Sequence, residues 1–150
     1  MKSSGTSFAL LSATLIGDRR MNELTGAILA SAIEVHRVLG PGLLESTYAT
    51  CLQHELSARN IRFAQQLPVP LNYKNHRLES IYRVDLVVEE LVVVEVKCLD
   101  AIAPVHKAQV LTYLRLTGCP AGLLINFNSA RLMDGVKRLI NPHAKNCGPR

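Results

Sequence analysis

Hydrophobic residues recur at helical spacing in the first third of the chain. Asn22 is a candidate N-cap, and apolar residues recur behind it up to the Gly40-Pro41-Gly42 segment, which is expected to end this helix. A second helix is predicted from about Leu43 to Asn60. Its apolar residues fall four positions apart, so we expect one buried stripe, made of Leu44, Tyr48, Leu52 and Leu56.

The pattern then changes to one that is typical of strands. Residues 62–73 contain Pro68 and Pro70, which predicts an edge strand or a bulged strand. Residues 78–89 and 91–98 are dense in β-branched residues, which favours two buried strands joined by a short turn.

Helix and strand signals alternate in the last third. Pro104 suits the first turn of a third helix that ends near Thr117, and residues 121–127 form another apolar strand. Residues 132–140 fit either a short strand or a helix. The order of helix, helix, three strands, helix and strand predicts an α/β fold around a mixed sheet.

Length and composition limit the classes that the chain can belong to. Its 150 residues, 48% of them hydrophobic, fit one compact domain, and the net charge of +5 permits an anionic partner without naming one. No apolar run reaches the roughly 18 to 20 residues of a membrane span, so no membrane association is expected. The four cysteines are far apart and form no Cys-x-x-Cys pair, which favours reduced thiols in the cytoplasm. We expect a loosely ordered extension over residues 1–20, a domain over 21–141 and a tail over 142–150.

Charged residues interrupt the most apolar segment. Glu95 and Lys97 lie in a run of valines and share one face of the predicted strand, because side chains alternate along a strand. Burying such a pair costs several kcal/mol unless it is compensated. The alternative is an ion pair at a strand end with its charges in solvent.

Asp85 lies in the neighbouring strand, and the turn decides whether it meets Glu95. A two-residue loop would place Asp85 and Glu95 on opposite faces, whereas a three-residue loop or one bulge places them directly opposite each other. Two facing carboxylates repel each other, but a divalent cation between them would reverse the sign of the interaction. We therefore predict the second register. Alternatively, Asp85 is a solvent-facing carboxylate on an ordinary hairpin. In the predicted register the two carboxylates suit Mg²⁺, with Mn²⁺ as a substitute, and Lys97 would serve a hydrolytic water.

These residues resemble the D…(D/E)-x-K core of the PD-(D/E)XK nuclease superfamily. Residues 42–48, which read Gly-Leu-Leu-Glu-Ser-Thr-Tyr, match the GxxExxY signature of one small family within it. The resemblance extends over about residues 21–141 and implies a restriction-endonuclease-like fold, an αβββαβ core with an extra N-terminal helix. Val84 stands where the name of the superfamily has proline.

The resemblance implies roles for further residues. Glu45 resembles a helix-borne glutamate that helps to hold metal, although the helix dipole also favours a first-turn glutamate. Gln109 and Tyr113 resemble the Q-x-x-x-Y element of RecB-like members, although a glutamine on a solvated helix face fits the pattern equally. Tyr48 is expected to pack in the core, and His36 to pack or cap. The predicted catalytic residues are Asp85, Glu95, Lys97, Glu45 and Gln109; the predicted metal ligands are Asp85, Glu95, Glu45 and the Val96 carbonyl; and the predicted nucleic-acid contacts are Arg83, His106, Lys107 and Tyr113.

The function implied is Mg²⁺-dependent hydrolysis of phosphodiester bonds in nucleic acid, with DNA as the expected substrate. Because the chain is short, an oligomer or a protein partner is expected to complete its binding groove. Two alternatives stay open: a nucleic-acid-binding or assembly module of the same fold with little turnover, and a structural cluster of ion pairs.

Overall fold

The computed structural model describes residues 4–144, with the side chains of residues 17–79 and 82–144. The helices are α1 (Ser4–Leu39), α2 (Glu45–Ala58) and α3 (Pro104–Thr117). The strands are β1 (Phe63–Tyr73), β2 (His76–Val88), β3 (Val92–Lys97), β4 (Ala121–Asn126) and β5 (Val136–Ile140), and a short 3₁₀ helix (Leu132–Gly135) precedes β5. No helix in the described part of the chain is both long and apolar enough to cross a membrane.

The five strands form one mixed sheet in the order β1-β2-β3-β4-β5. The β3–β4 pair is parallel and the other pairs are antiparallel, because only β3 and β4 are joined by a crossover helix, α3. Buried residues of α1 and α2 pack on one face of the sheet with β3 residues such as Val94 and Val96, while Val110 and Leu114 of α3 pack on the other face. The predicted α/β fold with an αβββαβ core and an extra N-terminal helix is confirmed.

Helix α1 is longer than the sequence pattern predicted. It begins at Ser4, so Asn22 lies inside the helix and the predicted N-cap is wrong. The Asn22 carboxamide oxygen instead accepts a hydrogen bond from Arg138 at 3.0 Å, and an Arg19–Glu23 ion pair spans the same turn of α1. The division of the chain into an extension, a domain and a tail stays a prediction, and residues 145–150 of the tail lie outside the described residues.

The predicted buried stripe of α2 is shorter by one residue. Tyr48, Leu52 and Leu56 are fully buried, but Leu44 is 73% exposed, so its predicted burial is wrong. Leu44 has extended backbone angles (φ −74°, ψ 147°) because it precedes the helix, and its side chain does not follow the helical repeat. The preceding helix ends as predicted, at a left-handed Gly40 (φ 67°).

The remaining boundaries agree with the predictions to within a few residues. β1 is an edge strand, and its pairing with β2 is interrupted between Val69 and Leu71, as expected for a segment with two prolines. The undecided segment 132–140 combines both kinds of structure, since a 3₁₀ turn leads directly into β5.

Candidate active site

The turn between β2 and β3 sets the register of the site. Residues 89–91 form a three-residue loop, closed by a hydrogen bond from the Leu91 N–H to the Val88 carbonyl at 2.9 Å. Leu86 then pairs with Val94, and continuing this register brings Asp85 opposite Glu95, as predicted. The loop has no glycine, and Glu89 (φ 51°) and Glu90 (φ 58°) adopt the left-handed conformation themselves.

The two facing carboxylates bind the backbone of each other's strand. Asp85 Oδ2 accepts a hydrogen bond from the Val96 N–H at 2.9 Å, and Glu95 Oε1 accepts one from the Asp85 N–H at 3.0 Å. The hydrogen bonds between β2 and β3 therefore pass through acidic side chains at this level. Such reciprocal hydrogen bonds hold both side chains in fixed positions.

The direction of the side chains inverts in β1 and β2 at the level of Asp85. Val84 packs against α3, but Leu86 packs with α1 and α2, although strict alternation would place both on the same face. β1 changes in the same way around Gln66, which has a positive φ of 48°. Gln66 Nε2 donates to Asp85 Oδ1 at 3.4 Å, so the two irregular positions are in contact.

Glu95 is buried, and its charge is only partly compensated. Its residue is 3% exposed, and Lys97 Nζ lies 4.0 Å from its Oε2. Burial, followed by the nearby charge of Asp85, raises the pKa of Glu95 to about 8, and the Asp85 N–H and Lys97 offset this only in part. Two acidic groups whose ionisation is in conflict mark a candidate functional site.

Residues of the GxxExxY motif connect α2 to the end of β3. Glu45, in the first turn of α2, accepts a hydrogen bond from the Cys98 N–H at 3.3 Å. The Tyr48 hydroxyl donates to the Gly40 carbonyl at 2.5 Å and accepts from the Leu43 N–H at 3.1 Å, while its ring stacks on Phe127. The expected core role of Tyr48 is confirmed, and it also fixes the loop before α2.

A cleft of about 490 Å³ lies between the start of α2 and the sheet. Glu45, Gln66, Asp85 and Val96 are among the residues that line it. The cleft therefore gives a solvent-accessible approach to Asp85 and to Val96 of β3, whereas Glu95 is buried and does not line it.

Helix α3 presents the predicted glutamine–tyrosine pair to the other side of the site. Gln109 Nε2 donates to the Tyr113 hydroxyl at 3.1 Å. Tyr113 is 3% exposed, and burial followed by the charge of Glu95 raises its pKa. Tyr113 is thus close enough to Glu95 for the charge of that carboxylate to affect its pKa.

The predicted nucleic-acid contacts lie in different environments. Arg83 and Lys107 are exposed, whereas Tyr113 is buried. His106 Nδ1 accepts the Ala103 N–H at 2.9 Å, and this hydrogen bond caps the start of α3. His36, as expected, makes a structural contact, with its Nε2 donating to the Ser129 carbonyl at 2.9 Å.

Two residues near the site were missed by reasoning from the sequence. Gln66 contacts Asp85, and the only available signal was a polar Gln-Gln pair inside a strand. Asn126 is 2% exposed and holds the loop after β3, because its carboxamide donates to the Leu99 carbonyl and accepts the Leu99 N–H, both at 2.9 Å. In the sequence, Asn126 is marked only as a polar residue at the end of an apolar strand.

The carboxylate oxygens at this site could hold a hard cation through a small number of protein ligands. Among the residues with described side chains, no group of three or more His, Cys, Asp and Glu lies close enough to hold a metal ion. Glu45 is directed to the Cys98 N–H, whereas Asp85 and Glu95 are adjacent, since the Asp85 N–H donates to Glu95 Oε1. Mg²⁺ needs only one or two carboxylates and keeps several waters, so this pair suffices.

Comparisons with known proteins agree with this geometry. The model of the PD-(D/E)XK nuclease superfamily matches residues 22–139. The crystal structure of SSO0001 is similar in fold, with a TM-score of 0.51 and 17% sequence identity, over 65% of this chain and 50% of that one. The chain thus spans half the length of that protein, and no curated protein matches it. The match covers most of the chain, including the hairpin with Asp85, Glu95 and Lys97, and the chain belongs to the PD-(D/E)XK nuclease superfamily.

Proposed function

We propose that this chain is a metal-dependent nuclease that hydrolyses phosphodiester bonds in DNA. Its superfamily typically acts on nucleic acid, which supports the reaction class. The observation that carries the proposal is the Asp85–Glu95 pair, locked by reciprocal hydrogen bonds beside Lys97. Glu95 is buried beside a second acid with Lys97 at 4.0 Å, and burial raises its pKa to about 8, which favours a metal site over a compensated cluster of ion pairs.

Asp85 and Glu95 would hold the metal, with the Val96 carbonyl as a further ligand. Held there, Mg²⁺, or Mn²⁺ in its place, would supply Lewis-acid chemistry to a phosphoryl oxygen and to a water. The positions of both carboxylates are set in advance, because each accepts a backbone N–H of the opposite strand. Such preorganisation lowers the cost of bringing like charges together around a cation.

Lys97 and the residues around the cleft would act on the substrate and the water. Lys97 Nζ, 4.0 Å from Glu95 Oε2, would orient the attacking water and offset the negative charge that develops on phosphate. Glu45 lines the cleft and would hold a metal-bound water through its carboxylate. Gln109 and Tyr113, close to Glu95 on the α3 side, would support that carboxylate.

We also infer membership of the GxxExxY family. The motif residues have distinct tasks that support this assignment: Gly42 takes a positive φ of 98°, Glu45 reaches the end of β3, and Tyr48 fixes the loop. A cytoplasmic location and a role for a partner or an oligomer stay predictions.

The test is a panel of labelled nucleic acids incubated with and without Mg²⁺ or Mn²⁺, comparing the wild type with Asp85→Asn. We expect metal-dependent cleavage of DNA by the wild type and none by the variant, because Asp85→Asn removes a charged ligand but keeps a similar shape. The same thermal unfolding midpoint in both proteins would show that folding is unaffected. Salt-sensitive binding to DNA without metal-dependent cleavage would contradict the proposal and favour a binding module.

A further inference from the structure

The outer part of the β1–β2 hairpin extends beyond the rest of the sheet. β2 pairs with β3 through Leu86, Val87 and Val88, whereas its pairing with the edge strand β1 continues outward to Tyr73 and His76. Among the described strands, this outer part of β1 and β2 therefore pairs only within the hairpin, and we name residues 70–83 the arm. His76 is nine positions from Asp85, so the arm reaches roughly 30 Å at most from the carboxylates.

The surface of the arm is basic and polar. Residues 72–77 are all exposed, and the arm contains three basic residues, Lys74, Arg77 and Arg83, against a single acid, Glu79. Arg77 forms an exposed ion pair with Glu79, and such a pair contributes little, so a phosphate can compete for Arg77. A strand pair that projects into solvent with this charge is suited to a polyanion.

The arm is continuous with the candidate active site. Tyr82 contacts Tyr113 and Val84 packs against α3, so alternation directs Arg83 to the other face, on which Asp85 lines the cleft. Arg83 is two positions from Asp85, a distance of roughly 7 Å along the strand. A nucleic-acid strand with one phosphate at the carboxylates can therefore present further phosphates to Arg83 and, at the far end of the arm, to Lys74 and Arg77.

The aromatic residues of the arm favour a duplex over a single strand. Binding of single strands relies on aromatic rings on which bases stack. Tyr73 already has Lys74 Nζ over its ring at 5.6 Å, and Tyr82 makes an edge contact with Tyr113. Basic side chains without open stacking platforms are suited to the regular backbone of a duplex, which is contacted through its phosphates.

We propose that the arm grips the sugar–phosphate backbone of duplex nucleic acid on one side of the cleaved bond. This inference rests on the proposed nuclease function for the position of the bond. At about 3.4 Å per base pair, a reach of roughly 30 Å corresponds to about nine base pairs. The arm thus sets a minimum length of duplex on that side.

The experiment measures binding of a labelled duplex of about 30 base pairs in EDTA as a function of salt, for three proteins. They are the wild type, the arm variant Lys74→Gln/Arg77→Gln, and a control, Arg115→Gln/Lys137→Gln, which removes two exposed charges from α3 and from the opposite edge of the sheet. We expect the arm variant to bind about tenfold more weakly and its log–log salt slope to fall by about two, with the control unchanged.

Substrate length gives a second readout, in cleavage assays with Mg²⁺. For a duplex that ends about six base pairs from the cleaved bond on either side, too short to reach Lys74 and Arg77 from the carboxylates, the wild type and the arm variant should have the same KM. Equal salt slopes for the arm variant and the control on the long duplex, or an equal rise in KM on duplexes of both lengths, would overturn the inference. All four positions are exposed, so unchanged thermal unfolding midpoints are expected and serve as the check on folding.

Cleavage in Mg²⁺ separates this inference from the proposed function. Metal-dependent cleavage with an unchanged salt slope in the arm variant would refute the arm and leave the nuclease proposal intact. Loss of salt slope in the arm variant, without cleavage by any protein, would support the arm as a duplex-binding element and refute the nuclease proposal.

Discussion

The β2–β3 hairpin carries a buried or half-buried glutamate at each of its ends, and the two are treated in opposite ways. At the turn, Glu89 accepts the Arg62 N–H at 2.9 Å and pairs with the Arg62 guanidinium at 3.1 Å, and these contacts lower its pKa. At the other end, Glu95 is buried beside Asp85, and its pKa rises to about 8. Each glutamate has a basic neighbour, but only Glu89 has its charge satisfied.

The difference shows what distinguishes a structural charge from a candidate catalytic one. The Arg62–Glu89 contacts fix the turn in which Glu89 and Glu90 adopt the left-handed conformation, and this turn sets the register of β2 and β3. The Glu95 site keeps a second acid close and its lysine at 4.0 Å, an arrangement that a cation would stabilise. The favourable Arg62–Glu89 contacts at the turn therefore help to offset the unfavourable burial of Glu95 beside Asp85.

The largest expected effect is on cleavage, and it comes from removing the basic neighbour of Glu95 but not that of Glu89. Lys97→Ala should lower the rate of metal-dependent cleavage by about 10²- to 10³-fold, because it removes a charge that stabilises the transition state. Arg62→Ala is the matched control and should cleave at the rate of the wild type. Cleavage assays under saturating metal measure both, and equal losses in the two variants would contradict the assigned difference between the two ends.

The second effect is on stability, and its sign depends on pH. In the folded protein Glu95 keeps its proton up to about pH 8, whereas in the unfolded chain it loses it near its usual value of 4.5. The unfolded state therefore binds fewer protons between these values, and stability falls as pH rises through this window. Glu95→Gln should remove this fall in EDTA.

Thermal unfolding of the metal-free proteins measures this effect. The unfolding midpoint of Glu95→Gln should exceed that of the wild type by several degrees near pH 8 and match it near pH 4. If the midpoints of the variant and the wild type differ by the same amount at about pH 8 and at about pH 4, the ionisation of buried Glu95 does not destabilise the folded protein.

The smallest effect is expected at the turn, with the opposite sign. Glu89→Gln should lower the free energy of unfolding by about 1 kcal/mol near neutral pH, since it weakens the hydrogen bond to the Arg62 N–H and removes a largely exposed ion pair. Because its folded pKa is lowered, the contribution of Glu89 is complete above its usual pKa and is lost as pH falls below it. Urea unfolding at two pH values measures this, and a cost that grows as the pH falls would refute it.

Much of the hairpin could be predicted because its determinants are local. A three-residue loop fixes which residues face each other, so the opposition of Asp85 and Glu95 followed from chain positions once that loop length was chosen, and the choice rested on the pairing of two carboxylates around a cation. The Gln109–Tyr113 contact followed equally from the spacing of one helical turn. Where the prediction was wrong, at Asn22 and Leu44, a weak local signal was overridden by a contact elsewhere or by the actual start of a helix.

The sequence by itself determined the order of the elements, the strand register at the turn and the three residues around which the site is built. Only the tertiary structure decided that β1 and β2 invert their faces at Gln66 and Asp85, that Glu45 reaches the Cys98 N–H, and that Asn126 holds the loop after β3. Periodicity and turn length act between neighbours in the chain, whereas these contacts join residues 19 to 53 positions apart. Contacts at such separations depend on how whole elements pack, and the periodicity of hydrophobic residues along the chain does not predict them.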